Sequence, residues 1–327
     1  MGYGDYSHAA HAALAAGRAN LPRQALFTQT SCHPLMNPHG VRMRESRDSA
    51  DHPQSLAVAF ALDVTGSMGA IPELLARREL PNFMKILTQC GVTDPQLLFL
   101  AVGDATCDSA SLQVGQFEST AELMDQWLTW TFLEGGGGGQ DTESYELALY
   151  FLAQHTDLDC VNKRGRRGYM FMTGDELPYP EVSRHQVDAL IGDKLDADLP
   201  VKAVVAALQK KYHPFFLVPD QDRRRRCEKR WRQLLGDHVI CMDAPEDTCW
   251  VSADIVALSE GVVSDVDALA RALTAAGATR ERVASTIRAL TPFAATLGRD
   301  AAPQPRVVSA SLPGRGAATG KSGMRRA

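Results

Sequence analysis

With 327 residues, 45% hydrophobic and 22% charged, the chain can bury a full-sized core, and its composition is that of an ordinary globular protein. No apolar run approaches the roughly 20 residues of a membrane-spanning helix, the N-terminus lacks the basic-then-apolar texture of a signal peptide, and a net charge of −5 exerts no whole-molecule pull on nucleic acid. The seven cysteines are scattered and include no CxxC pair, which reads as reduced thiols in the cytoplasm and excludes a cysteine-based zinc site.

Residues 1–54 are polar and loop-rich, with Pro34, Pro38 and Pro53 interrupting any long element. The five histidines at 8, 11, 33, 39 and 52 fit no ligand spacing. From Leu56 short apolar runs alternate with helical patterns, the signature of βαβ units around a mostly parallel sheet. The run 56–62 is almost continuously apolar, as a central strand buried on both faces requires. A helix follows over 71–90, with Leu74, Leu75, Leu80, Phe83, Met84 and Leu87 on its apolar side.

The next strand is 97–102. The alternating stretch 111–117 suits an edge strand running the other way, and 119–130 is a helix capped by Ser119 or Thr120. Glycines 135–139 lead into a helix over 144–155, and 168–173 is a strand. Then come a helix near 200–211, a strand at 213–218, a helix at 223–235, a strand at 238–242 and helices near 251–259 and 279–290. The organisation is a segment 1–54, an α/β domain over 55–298, and a tail over 299–327. That tail has six Lys/Arg, one Asp and almost no large apolar residue, which predicts disorder.

In an open parallel sheet, ligands bind beyond the carboxyl ends of the strands, near the point where strand order reverses. The first strand is followed by Asp63-Val-Thr65-Gly-Ser67, the second by Gly103-Asp104, and the 168–173 strand by Gly174-Asp175-Glu176. Asp63, Thr65 and Ser67 are spaced two apart, so a loop curling off the strand can turn three oxygens to one point. Carboxylates and hydroxyls suit Mg²⁺, Mn²⁺ or Ca²⁺. Asp175 brings a second charge from a neighbouring strand end. Asp104 reads as a turn-former. The dense basic stretch Arg223–Arg226, Lys229, Arg230 and Arg232 reads as a solvated helix face over a buried Trp231, with a phosphate or acidic-partner patch as the alternative.

Asp-x-Thr-x-Ser after a buried strand, a glycine-rich second loop and a later Gly-Asp resemble the metal-ion-dependent adhesion site of von Willebrand factor A domains, over about residues 55–245. The resemblance implies a doubly wound, mostly parallel Rossmann-like sheet with one antiparallel edge strand. It also implies Mg²⁺ (or Mn²⁺) bound directly by Thr65, Ser67 and a second-loop residue, with Asp63 and Asp175 acting largely through water. Thr142 comes first for the second-loop position, with Asp141 and Glu143 as alternatives. An open coordination position would accept a carboxylate from a partner protein, and chains of this kind often serve AAA-type ATPases. Thr-Gly-Asp-Glu stands where the commoner family form is Thr-Asp-Gly, so Asp175 is taken as the matching carboxylate. Two rival readings remain: a Mg²⁺-dependent phosphatase of haloacid-dehalogenase type, with Asp63 as nucleophile, and a structural subunit whose metal only stiffens the loops.

Overall fold

The computed structural model describes residues 5–66, 68, 70–89, 91–135 and 141–297. Ser67 and the tail 299–327 therefore lie outside the described residues.

Six strands form the central sheet: β1 (Ser55–Asp63), β2 (Asp94–Val102), β3 (Leu112–Val114), β4 (Gly168–Thr173), β5 (Tyr212–Val218) and β6 (Val239–Cys241). Their spatial order is β6-β5-β4-β1-β2-β3. Every pairing is parallel except β2 with β3, which is antiparallel at the edge. The chain thus winds outward from β1 to β3, then crosses back and winds outward from β4 to β6. The reversal lies between β1 and β4, and the Asp63 and Asp175 loops emerge on either side of it.

Phe99, Phe60, Phe171 and Phe215 are paired in register on successive strands. Their rings form a row with centroids 5.4–5.9 Å apart. Two helices close over the row: α1 (Leu80–Gln89) sets Phe83 edge-on to Phe60 at 5.0 Å, and α7 (Arg280–Leu297) sets Phe293 edge-on to Phe215 at 5.0 Å. Between them α5 (Thr248–Ser259) packs on α1. The other face is covered by α2 (Tyr145–Gln154), α3 (Val201–Leu208) and α4 (Gln221–Leu235), whose Trp231 stacks on Phe216 at 3.9 Å. α6 (Val266–Ala275) lies outside this layer, against α7.

Differences from the sequence reading are local. The helix over 71–90 contains a π turn at Leu75–Glu79, just before Pro81, which has no N–H to give the preceding turn. The last helix runs through Pro292 to Leu297, because Phe293 docks in the aromatic row beyond the expected end at 290. α6 went unread, with an apolar stripe of small alanines and only Leu269 and Leu273 buried. The N-terminal segment holds a helix at His8–Arg18, capped by Ser7; its alanines lack the large apolar residues that mark a helical face.

Candidate metal-binding site at the strand ends

Asp63 ends β1 with no exposed surface. Its Oδ1 accepts hydrogen bonds from the Thr65 N–H at 3.0 Å and the Thr65 hydroxyl at 2.6 Å, and its Oδ2 accepts one from the Tyr145 hydroxyl at 2.5 Å. Burial still dominates: with Asp175 adding repulsion, the carboxyl is pushed up to about 6 against the pull of these donors. Donating its proton to Asp63 leaves the Thr65 oxygen with lone pairs for another partner.

Tyr145 is the residue that sequence reasoning missed. It opens α2, is fully buried, and packs edge-on against Phe216 and Trp231 with centroids 5.7 and 5.6 Å away. Burial, and then the Asp63 charge, raise its hydroxyl well above the usual value, so it stays a donor. The same ring explains Thr-Gly-Asp in the third loop. A Cβ at position 174 would lie 2.7 Å from Tyr145 Cζ, so only glycine fits there. The register that brings residue 145 under residue 174 is tertiary, and no local pattern announces it.

The loops are tied to one another by backbone bonds. Val64 N–H donates to Val102 at 3.0 Å, Ser144 N–H to Gly103 at 3.2 Å, and Leu177 N–H to Asp141 at 3.0 Å. Thr142–Glu143 pairs in parallel with Leu177–Pro178, which places the second-loop candidates beside the Asp175 loop. Gly136–Gln140, most of the glycine run, lies outside the described residues.

Acidic groups crowd this end. Glu143 is buried and its Oε2 has no hydrogen-bond partner among the described residues. Burial, followed by repulsion from Asp63, Glu176, Asp108 and Asp104, pushes its carboxyl up to about 9. Glu176 is pushed up to about 7 by burial and then by Asp175 and Asp63, and its Oε2 is also buried without a partner among the described residues. Asp175 is buried, with Arg223 Nη1 3.4 Å from its Oδ2. Arg223 also reaches Asp220 through Nε at 2.9 Å and Met68 Sδ through Nη1 at 2.8 Å. The basic helix is therefore not wholly a solvated face. Its Trp231 is buried as expected, but Arg223 turns inward to the first and third loops because Asp220 caps α4 right beside them.

Asp104 is the turn-former expected of it, its Oδ1 accepting from the Thr106 N–H at 2.8 Å. Glu134 is used likewise, accepting from the Ser109 and Ala110 N–H groups at 2.9 and 3.2 Å.

This donor set fits a hard divalent cation. It is all oxygen, it holds two buried carboxylate oxygens without partners among the described residues, and burial, then mutual repulsion, raises its carboxyls. Among the described residues, no three carboxylate, imidazole or thiolate side chains suffice to hold an ion alone.

No protein-family profile and no curated protein matches the chain. Among solved structures it is similar to the pilus adhesin SpaC of Lactobacillus rhamnosus GG, at 11% identity over 65% of this chain and 31% of that one, with a TM-score of 0.42. It is also similar to proximal thread matrix protein 1 of the mussel byssus, in a form with a zinc-occupied MIDAS motif: 10% identity, 65% and 48% coverage, TM-score 0.38. A von Willebrand factor type A protein from Catenulispora acidiphila gives 13% identity, 64% and 43% coverage and a TM-score of 0.38. The chain thus spans between 31% and 48% of these structures' lengths. Its own strand order, antiparallel edge and three strand-end loops make its domain von Willebrand factor A-like in fold.

Proposed function

We propose that this chain is a divalent-cation-dependent protein-interaction module. The cation would be held by Thr65, Ser67 and Thr142, with Asp63 and Asp175 behind them, and would capture an acidic side chain of a partner protein. The observation that carries this reading is the Asp63 arrangement. A buried carboxylate is pinned from one side by Tyr145, while on the other it orients a Thr65 hydroxyl whose lone pairs remain available. Glu143, with its unpartnered oxygen, stands beside Thr142 as a second-loop alternative.

When bound, the ion supplies the positive charge this end of the molecule lacks and a site for an anionic oxygen. The chain's own residues fix the loops, exclude water from Asp63, and hold the Thr65 proton on the aspartate. Mg²⁺ or Mn²⁺ suits the donors best, since few charged groups take part directly. An AAA-type ATPase is our candidate for the partner, and the cytoplasm for its location. No helix among the described residues is long and apolar enough to cross a membrane.

A phosphatase of haloacid-dehalogenase type needs a carboxylate open to attack and an acid two residues on. Asp63 is buried with both oxygens accepting hydrogen bonds, and position 65 is threonine. The test is calorimetric titration of metal-free protein with Mg²⁺ and Mn²⁺, together with co-purification from the native cell in Mg²⁺ and in EDTA. One site with micromolar to millimolar affinity is expected, lost in Asp63→Ala, with partner recovery falling in EDTA and in Thr65→Ala. Unchanged isotherms in Asp63→Ala would place the ion elsewhere. Metal binding without any metal-dependent partner would leave the ion a structural role.

A further inference from the structure

Away from the strand ends, α5 and α6 enclose a cleft of about 520 Å³. Its size falls in the range of roughly 300–1,000 Å³ typical of small-molecule sites. Trp250, Val263 and Leu273 line it, and Ala268, Ala272 and Ala276 recur every fourth residue of α6 along one wall, so small side chains make the room. The wall contains one ionisable group, Asp254, on α5.

Asp254 is only 3% exposed, and its Oδ2 has no hydrogen-bond partner among the described residues. A carboxyl buried without a donor costs free energy that a purely structural position would avoid with leucine or asparagine. Burial, with Asp247 adding like charge, pushes it up to about 7. Arg282 lies over the Trp250 ring at 5.4 Å and pairs with Asp247 at 3.2 Å. The outer edge is finished by Gly261, in the left-handed region at φ +68°, and by Val262, which is half exposed.

We infer that this cleft binds a small apolar ammonium compound, an amine on an aliphatic or aromatic body, with its charge paired to Asp254 and its body against Trp250 and the alanine wall. An ammonium supplies the missing donors and charge, and the apolar lining takes the rest of the molecule. The site is separate from the strand-end loops and does not depend on the metal reading.

The probe is 2-phenylethylamine, with the neutral 2-phenylethanol as its control, titrated into the full chain by calorimetry and by Trp fluorescence. Saturable amine binding is expected, at least about tenfold tighter than the alcohol. Asp254→Asn keeps shape and removes charge, and should weaken the amine at least about tenfold while leaving the alcohol unchanged. Ala272→Phe should fill the cleft and abolish both. EDTA should change nothing, which separates this site from the proposed cation site. Equal binding of amine and alcohol, undiminished amine binding in Asp254→Asn or Ala272→Phe, or no saturable binding by the unaltered chain overturns the inference.

Discussion

The two ends of the sheet carry the same residue types in opposite states. At the amino end, Asp48 sits 2.7 Å from Arg164 and 3.3 Å from Lys163, and Asp159 sits 3.1 Å from Arg47 and 2.7 Å from Lys163. Arg47 also takes Asp157. Although burial works against them, all three aspartates lie below the usual carboxylate range, Asp48 and Asp159 held there chiefly by Arg164 and Lys163, and Asp157 by the Asn162 amide and then Arg47. At the carboxyl end, Asp63, Glu143 and Glu176 are all pushed up, burial first; Arg223 reaches the neighbouring Asp175, and Arg226 acts on Glu176 only at a distance. Acidic residues answered by built-in arginines are part of the frame. Acidic residues raised by burial and then by one another are where the proposed cation would be taken up.

Breaking the paired end should have the largest effect. Arg164→Ala removes the nearer of the two cations on Asp48 and the donor to the Ser55 carbonyl at 2.6 Å, at the root of β1. A loss of about 1–3 kcal/mol is expected from urea denaturation, because a partly buried carboxylate keeps only Lys163 and Ser55 as partners and the Ser55 carbonyl loses its donor. The sign with pH follows from the depressed aspartates. Their stabilisation is complete above the unfolded-state carboxylate range and disappears as pH falls through their folded-state values. Arg164→Ala should therefore lose stability at neutral pH and converge on the parent in strong acid. A deficit that persists unchanged at low pH would mean that the arginine acts through packing instead.

The unpaired end should respond to added cation. Mg²⁺ at about a hundred times its dissociation constant should stabilise the chain by about 2.7 kcal/mol, read as a rise in melting temperature. Asp63→Asn should abolish that rise and Arg164→Ala should keep it. Stabilisation surviving in Asp63→Asn would break the contrast between the two ends.

Asp254 gives a third reading of the same logic, in a carboxyl whose Oδ2 has no hydrogen-bond partner among the described residues. Its folded-state value of about 7 lies above the unfolded value, so its penalty grows as pH rises from about 4 to 7. Asp254→Asn should raise the melting temperature at pH 8 and change it little at pH 4. Equal shifts at both would show that the charge is not what matters there.

Much of this was legible in the sequence because it depends on period and order. The apolar runs that became β1, β2, β4 and β5 sit within a few residues of their expected bounds, and the antiparallel edge was readable from the alternation at 111–117. Asp63, Thr65 and Asp175 could be singled out because each follows a strand. What stayed hidden depends on packing between distant segments. The Tyr145 hydroxyl reaches Asp63 across 82 positions of sequence, and the inward turn of Arg223 follows from where α4 starts relative to the third loop. A run of arginines looks the same whether one of them points inward or all face solvent.

The smallest effect expected is also the one that sharpens the comparison most. Arg223 resembles the arginines of the opposite end in reaching a buried aspartate. Yet its 3.4 Å approach to Asp175 Oδ2 is longer than the 2.7 Å of Arg164 to Asp48, and it divides its donors among Asp175, Asp220 and Met68. If it serves as an internal counter-charge that an incoming cation must tolerate, its guanidinium opposes metal binding by Coulomb repulsion. Arg223→Met keeps the apolar stem against the loop and removes only the charge. The Mg²⁺ dissociation constant should then fall about two- to fivefold, roughly 0.5–1 kcal/mol for a partly screened charge. The melting temperature of the metal-free chain should move little, because Asp220 still caps α4 through the residue 223 N–H at 3.1 Å. Weaker metal binding in Arg223→Met would mean that the arginine positions Asp175 for the ion, as Tyr145 positions Asp63. A fall in stability comparable to that of Arg164→Ala would make it a frame residue after all, and the two ends of the sheet would then differ in degree only.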